Sequence, residues 1–135
     1  MSDQPATTTK AAADAAAAGP VAAPVTEPVP PYEPPYYAVV FTSVRTDHDP
    51  DGYDRTGARL SGLVKDIPGF LGEDLAQTPG GLTISVVYFR DLAGIEQWRR
   101  HPEHLEAKRQ GREHWFDRYV IHFARVEHSH AFQRS

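Results

Sequence analysis

The side chains able to move a proton or to face a developing negative charge gather in the last third of the chain, where Trp98 is followed by His101, His104, Arg109, Trp115 and Tyr119. Imidazole exchanges protons near neutral pH more readily than any other side chain, and in its neutral form it also ligates metals. His101 and His104 stand three residues apart, a spacing that puts two side chains on one face of an unbroken helix. Pro102 lies between them and fits the first turn of a new helix better than a helix interior. A break is therefore expected near His101, and a shared face does not follow from the spacing. Glu103 and Glu106 are near, but neither has the clear position of a third ligand, so no metal site is expected. Arg109 and Arg112 with Glu106 and Glu113 also read as a salt-bridged, solvated helix face. Tyr53, Tyr88, Trp98 and Trp115 supply large rings that serve equally well as core packing or as the wall of a cleft. His122, between Ile121 and Phe123, reads as a hydrogen-bonded interior or seam residue, and His128 and His130 as solvent-facing. Asp47, Asp49 and Asp51 start like a calcium loop but lack the later Glu at the required spacing, where Ala58 stands, which leaves a solvated turn.

These groups need elements to hold them. Tyr36 to Val44 (YYAVVFTSV) is β-branched, aromatic and apolar at nearly every position, a strand buried on both faces. Thr46 to Tyr53 is a loop leading into a helix whose apolar positions are Tyr53, Leu60, Leu63, Val64 and Ile67, stopped by Pro68-Gly69. Phe70 to Thr78 and Leu82 to Arg90 form an antiparallel hairpin around Pro79-Gly80-Gly81. Asp91 is the expected N-cap of a helix striped by Leu92, Ile95, Trp98 and Leu105. A second helical segment runs from Glu103 through Trp115, weakened by Gly111, and Tyr119 to Val126 is the last strand.

That order is the α+β, ferredoxin-like βαββαβ unit with a four-stranded antiparallel sheet. Two helical layers cover only one face of such a sheet, yet the strands carry large apolar side chains on both. The second face needs a cover. A second copy packed sheet on sheet is the simplest one, giving a homodimer with an interface above roughly 2,000 Å². The weaker alternative is that part of the N-terminal segment lies across it.

Composition divides the 135 residues in two. Residues 1–35 hold eight of the twelve prolines and ten alanines, with no Leu, Ile, Phe or Trp, so this stretch reads as a disordered tail and residues 36–135 as the domain. The tail solubilises, or its proline-rich end docks a partner. The domain keeps fourteen acidic and thirteen basic residues and all seven His. So even a charge balance argues against nucleic acid or an anionic membrane as partner. No apolar run is long enough to span a bilayer and no secretory leader is recognisable, so the expected location is cytoplasmic. The absence of Cys removes disulfides, thiolate nucleophiles and Cys-bound metal from consideration.

The stretches YYAVVFTSVRT (36–46), PGFLG (68–72), ISVVY (84–88), WRRHPEHLEAKRQGREHW (98–115) and ARVE (124–127) resemble the antibiotic biosynthesis monooxygenase domain family. The resemblance covers nearly the whole domain and none of the tail. It implies a dimeric α+β barrel. Some members oxidise polycyclic aromatic substrates with dioxygen and no metal or flavin, others degrade haem, and many have no assigned activity. Fold membership alone does not choose among these. The expected function is a cofactor-independent monooxygenase acting on an aromatic or polyketide-like small molecule in a pocket between sheet and helices. The alternative is a non-catalytic dimeric binder of an aromatic metabolite or haem. In the oxygenase, His101 or His104 acts as base or donor and Arg109 or Tyr119 stabilises oxyanion charge. Trp98, Tyr88, Tyr53 and Trp115 shape the cleft. The haem-degrading relatives place a His ten residues after this Trp; here that position is Lys108, so no cofactor is expected and haem is disfavoured.

Overall fold

The structure, a computed structural model, describes residues 27–135; the Ala-rich part of the expected tail lies outside the described residues. The chain runs β1 (Tyr36–Arg45), α1 (Pro50–Leu63), β2 (Phe70–Gln77), β3 (Leu82–Phe89), α2 (Leu92–Arg99), α3 (Pro102–Gln110) and β4 (Phe116–Val126). The strands form one antiparallel sheet in the order β2-β3-β1-β4, the ferredoxin-like arrangement. Among the described residues no helix is long and apolar enough to cross a membrane.

Local chemistry sets the helix boundaries. Asp49 caps α1 from a left-handed conformation (φ 48°), its Oδ1 accepting the Gly52 amide at 3.1 Å. The helix starts at Pro50, three residues ahead of the expected Tyr53, because proline suits the first turn. Asp91 caps α2 through the Gly94 amide at 2.9 Å. The chain breaks at Arg100–His101 and resumes at Pro102, as the position of the proline requires. After Gln110 the helix widens into a π-turn over Gly111–Trp115, and β4 begins at Phe116, three residues earlier than the expected Tyr119. Gly111 is there for space rather than flexibility: a Cβ on it would stand 2.7 Å from the Phe116 ring.

Alternation along the strands divides the sheet into two faces. Val39, Val87 and Phe89 point toward the helices and pack with Val64, Ile67, Ile95 and Trp98 in one core. Tyr36, Ala38, Val40, Val86, Tyr88, Val120 and His122 share the opposite face. Of the expected tail, residues 27–35 are described, and part of that segment runs along one end of this second face. The Val29 amide donates to Asp74 Oδ1 at 3.0 Å, the Tyr32 hydroxyl donates to the Leu71 carbonyl at 3.2 Å, and the Tyr32 ring meets Tyr36 edge-on. Tyr36 and Ala38 are buried as a result, while Ile84 and Val120, toward the other end, stay 40% and 55% exposed.

Candidate functional site

The sequence-expected residues fall into separate groups. Trp98 is a core residue, packed with Val64, Phe89 and Ile95. His104 stacks on its ring (centroids 4.3 Å apart, planes 18° from parallel) and brings Nδ1 to 3.0 Å from the Trp98 carbonyl. A carbonyl only accepts, so Nδ1 carries the hydrogen in this contact and Nε2 is left as the acceptor. Burial pushes the His104 imidazole down to about 4, against the Trp98 hydrogen bond that favours the charged form. Such a ring is neutral at physiological pH and holds a proton poorly. His101 caps α3, its Nδ1 accepting the Glu103 amide at 3.2 Å, while its ring also lies 5.5 Å from the Trp98 ring. Both imidazoles therefore pack against Trp98, but their Nδ1 atoms serve different backbone groups. These contacts give the haem alternative no support: His104 lies flat on the indole and His101 is engaged at the start of α3.

A second group surrounds Trp115. This buried indole donates from Nε1 to Asp49 Oδ2 at 3.2 Å, so Asp49 ties the cap of α1 to the π-turn and the expected solvated turn has a structural task. Tyr53 meets Trp115 and Phe116 edge-on, at 5.9 Å in each case. The Arg45 guanidinium carbon lies 3.5 Å from the Tyr53 ring centre, a cation–π contact. Burial raises the Tyr53 phenol to about 12 despite that cation. Tyr119 packs on Phe41 and Phe116, and its hydroxyl accepts from Arg112 Nε at 3.0 Å.

Two expected members stand apart. Tyr88 projects from the face away from the helices, beside Tyr36, because its partner position in β1 is Ala38. Arg109 is exposed and engaged by Glu106 and Glu113 on its own helical segment, which raises its guanidinium pKa further. A groove of about 370 Å³ between α1 and α3 is floored by Leu60, Ala107 and Trp115. A wider one of about 590 Å³ touches His101 at the α2–α3 junction. Their charged groups include surface ion pairs, Arg59–Glu103 in the first and Arg100–Glu96 in the second. Such pairs are already neutralised and solvated. Among the described residues no cluster of three or more His, Asp or Glu is placed to hold a metal ion.

The group that sequence reasoning missed lies under α1. Glu73 of β2 turns its carboxylate into the layer between helix and sheet. There Oε1 accepts from Ser61 of α1 at 3.3 Å and Oε2 from Ser85 of β3 at 3.2 Å. Burial raises the Glu73 pKa, opposed by those two hydroxyls. A β-bulge places it there: Phe70 opposes Phe89 while Gly72 opposes Tyr88, so Leu71 is the extra residue and the alternation reverses after it. Without the bulge Asp74 would face the helices and Glu73 would not. Further along the same face, Thr83 and Ser43 are 5% and 1% exposed, and the Ser43 hydroxyl has no hydrogen-bond partner.

Comparison with known proteins sets this geometry in a family. A family model described as antibiotic biosynthesis monooxygenase matches residues 35–110. The curated "Uncharacterized protein YqjZ" of Bacillus subtilis (strain 168) is 41% identical over 99 residues, 73% of this chain and 86% of that protein. Among solved structures, SO0527 from Shewanella oneidensis has a TM-score of 0.60 at 11% identity, covering 68% of this chain and 91% of that one. SnoaB from Streptomyces nogalater, titled a cofactor-independent oxygenase, has a TM-score of 0.58 at 12% identity, covering 75% of this chain and 100% of that one. At these identities the structural likeness speaks for the fold. The family match over more than half of the chain goes further, and with it the chain belongs to the antibiotic biosynthesis monooxygenase family.

Proposed function

We propose that the chain is a cofactor-independent monooxygenase for an aromatic or polyketide-like hydroxy compound, bound in the layer between the sheet and α1, and that it works as a homodimer. The observation that carries this is the unpaired Ser43 hydroxyl, 1% exposed, in a layer that also holds Thr83, Ser85, Ser61 and Glu73 together with Tyr53 and Arg45, whose Nε is likewise buried without a partner. Packing alone favours aliphatic side chains at such positions, and an unsatisfied buried hydroxyl costs about 1–3 kcal/mol. A ligand oxygen would satisfy it. Tyr53, Phe41, Phe116 and Tyr119 line the same side of the sheet with rings, the apolar enclosure that a stacked aromatic substrate and dioxygen require.

In this chemistry the substrate supplies the electrons. An anthrone-type compound loses a proton, its anion adds dioxygen, and loss of water leaves the quinone; one dioxygen is consumed and one water formed per substrate. The protein's share is to accept the proton, hold the anion and exclude water. Oxygen uptake by the full chain with anthrone-type compounds, without added metal, tests this. Uptake above the spontaneous rate, with one dioxygen used per quinone formed, is the expected result. Binding of these compounds with no uptake across a broad panel would replace the enzyme with a non-catalytic binder.

A further inference from the structure

The buried carboxylate has a second consequence, resting on the small-molecule site proposed above. The structure assigns Glu73 as the proton acceptor of this site: its carboxylate, held between Ser61 and Ser85 beneath α1, takes the hydroxyl proton of a phenol or enol that enters the layer. Three observations support the assignment. Each carboxylate oxygen receives one neutral hydroxyl, and a carboxylate has about four lone-pair positions, so both oxygens keep acceptor capacity. The donors come from two different elements, α1 and β3, which fixes the carboxylate against both walls of the layer. Leu75, the next residue on the same face of β2, is 46% exposed, so solvent reaches that face two residues beyond Glu73. The bulge at Leu71 serves this placement, since it alone turns Glu73 inward.

The step is a single proton transfer. The substrate O–H bond breaks, an O–H bond forms on a Glu73 oxygen, and the electron pair stays on the substrate as phenolate or enolate. No oxidant takes part until dioxygen meets that anion. The titratable and charged groups around Glu73 are Tyr53 from α1, Asp74 on its own strand and, beyond Tyr53, Arg45 of β1. Burial and the Asp74 charge favour the protonated carboxyl, so Glu73 gains proton affinity over an ordinary glutamate. An anionic ligand is disfavoured by the same two carboxylates; a neutral hydroxyl compound is the class that fits.

The test uses the full chain and two readouts. With 4-nitrophenol as probe, wild-type protein is expected to show the phenolate absorption band at a pH where free probe is neutral, and Glu73→Gln is expected to lose that band. In oxygen uptake with anthrone, Glu73→Gln is expected to lower kcat about a hundredfold with KM little changed and to abolish the acid limb of the pH profile. Equal bands in the two proteins, no probe binding at all, or a variant with wild-type kcat and acid limb would overturn the assignment. A phenolate band that depends on Glu73 in a protein without oxygen uptake would instead keep the proton acceptor and discard the oxygenase. Should Glu73→Gln fail to fold, Ser85→Ala keeps the carboxylate and removes a donor that lowers its pKa. The band is then expected only at higher pH, and an unmoved titration counts against the proposal.

Discussion

At the scale of single residues, burial redistributes the roles that residue type suggests. A histidine beside a tryptophan is a natural choice for a general base; burial makes His104 a neutral ring stacked on the indole, with Nδ1 on the Trp98 carbonyl and Nε2 left as the acceptor. This has a measurable cost at low pH. The folded-state pKa of His104 is depressed to about 4 from an ordinary 6.5, so between those values the unfolded chain binds the extra proton. Stability must then rise with pH across that window and fall as pH drops from 6.5 toward 4, by on the order of 2 kcal/mol from this one group. Urea midpoints of the wild type and of His104→Phe, each at pH 7 and pH 4.5, isolate it. The wild type is expected to lose more than the variant on acidification; equal losses would show that His104 is not held neutral. Sequence reasoning placed Trp98 and both histidines on the right elements but not their atoms' partners, because capping by His101 and stacking by His104 depend on where one proline breaks the helix.

At the scale of elements, periodicity identified every strand and both helical layers, since apolar spacing records which face is buried. What it did not record is the exception to spacing. The bulge at Leu71 reverses which of Glu73 and Asp74 faces the helices, and the two adjacent acids carry no local signal of it. The π-turn at Gly111–Trp115 escaped for a similar reason: Gly111 looks like a helix-weakening residue but is required by the Phe116 ring. Two helical glycines separate these causes cleanly. Gly62, exposed in α1, has nothing within 4 Å of an added Cβ. Gly62→Ala is therefore expected to stabilise by about 0.5–1 kcal/mol through helix propensity. A Cβ on Gly94 of α2 would stand 2.8 Å from the Pro68 carbonyl oxygen and 3.1 Å from Phe89. Gly94→Ala is expected to destabilise by about 2 kcal/mol or more, because one of the opposing atoms is backbone. Thermal or urea unfolding of the two variants should move in opposite directions, and parallel shifts would refute the packing of α2 against the Pro68 turn.

At the scale of the whole molecule, what matters is how the sheet face away from the helices is covered. The segment at Val29–Tyr32 covers its Tyr36–Ala38 end, so one chain supplies part of the cover itself. The other end, with Ile84, Val120 and His122, remains in solvent. Large side chains left in water along one region are the mark of an interface rather than of a monomer surface. A second copy related by a two-fold axis fits this pattern, because a patch on the axis is paired with itself and needs no other complementary surface. Light scattering after size exclusion is expected to give twice the 15.0 kDa chain mass. Ile84→Glu with Val120→Glu places like charges on both sides of the axis and is expected to give single chains that keep the wild-type far-UV circular dichroism. A wild type that runs as a single chain at micromolar concentration would remove the dimer. A double variant that stays paired would show that the contact does not run through this end of the face.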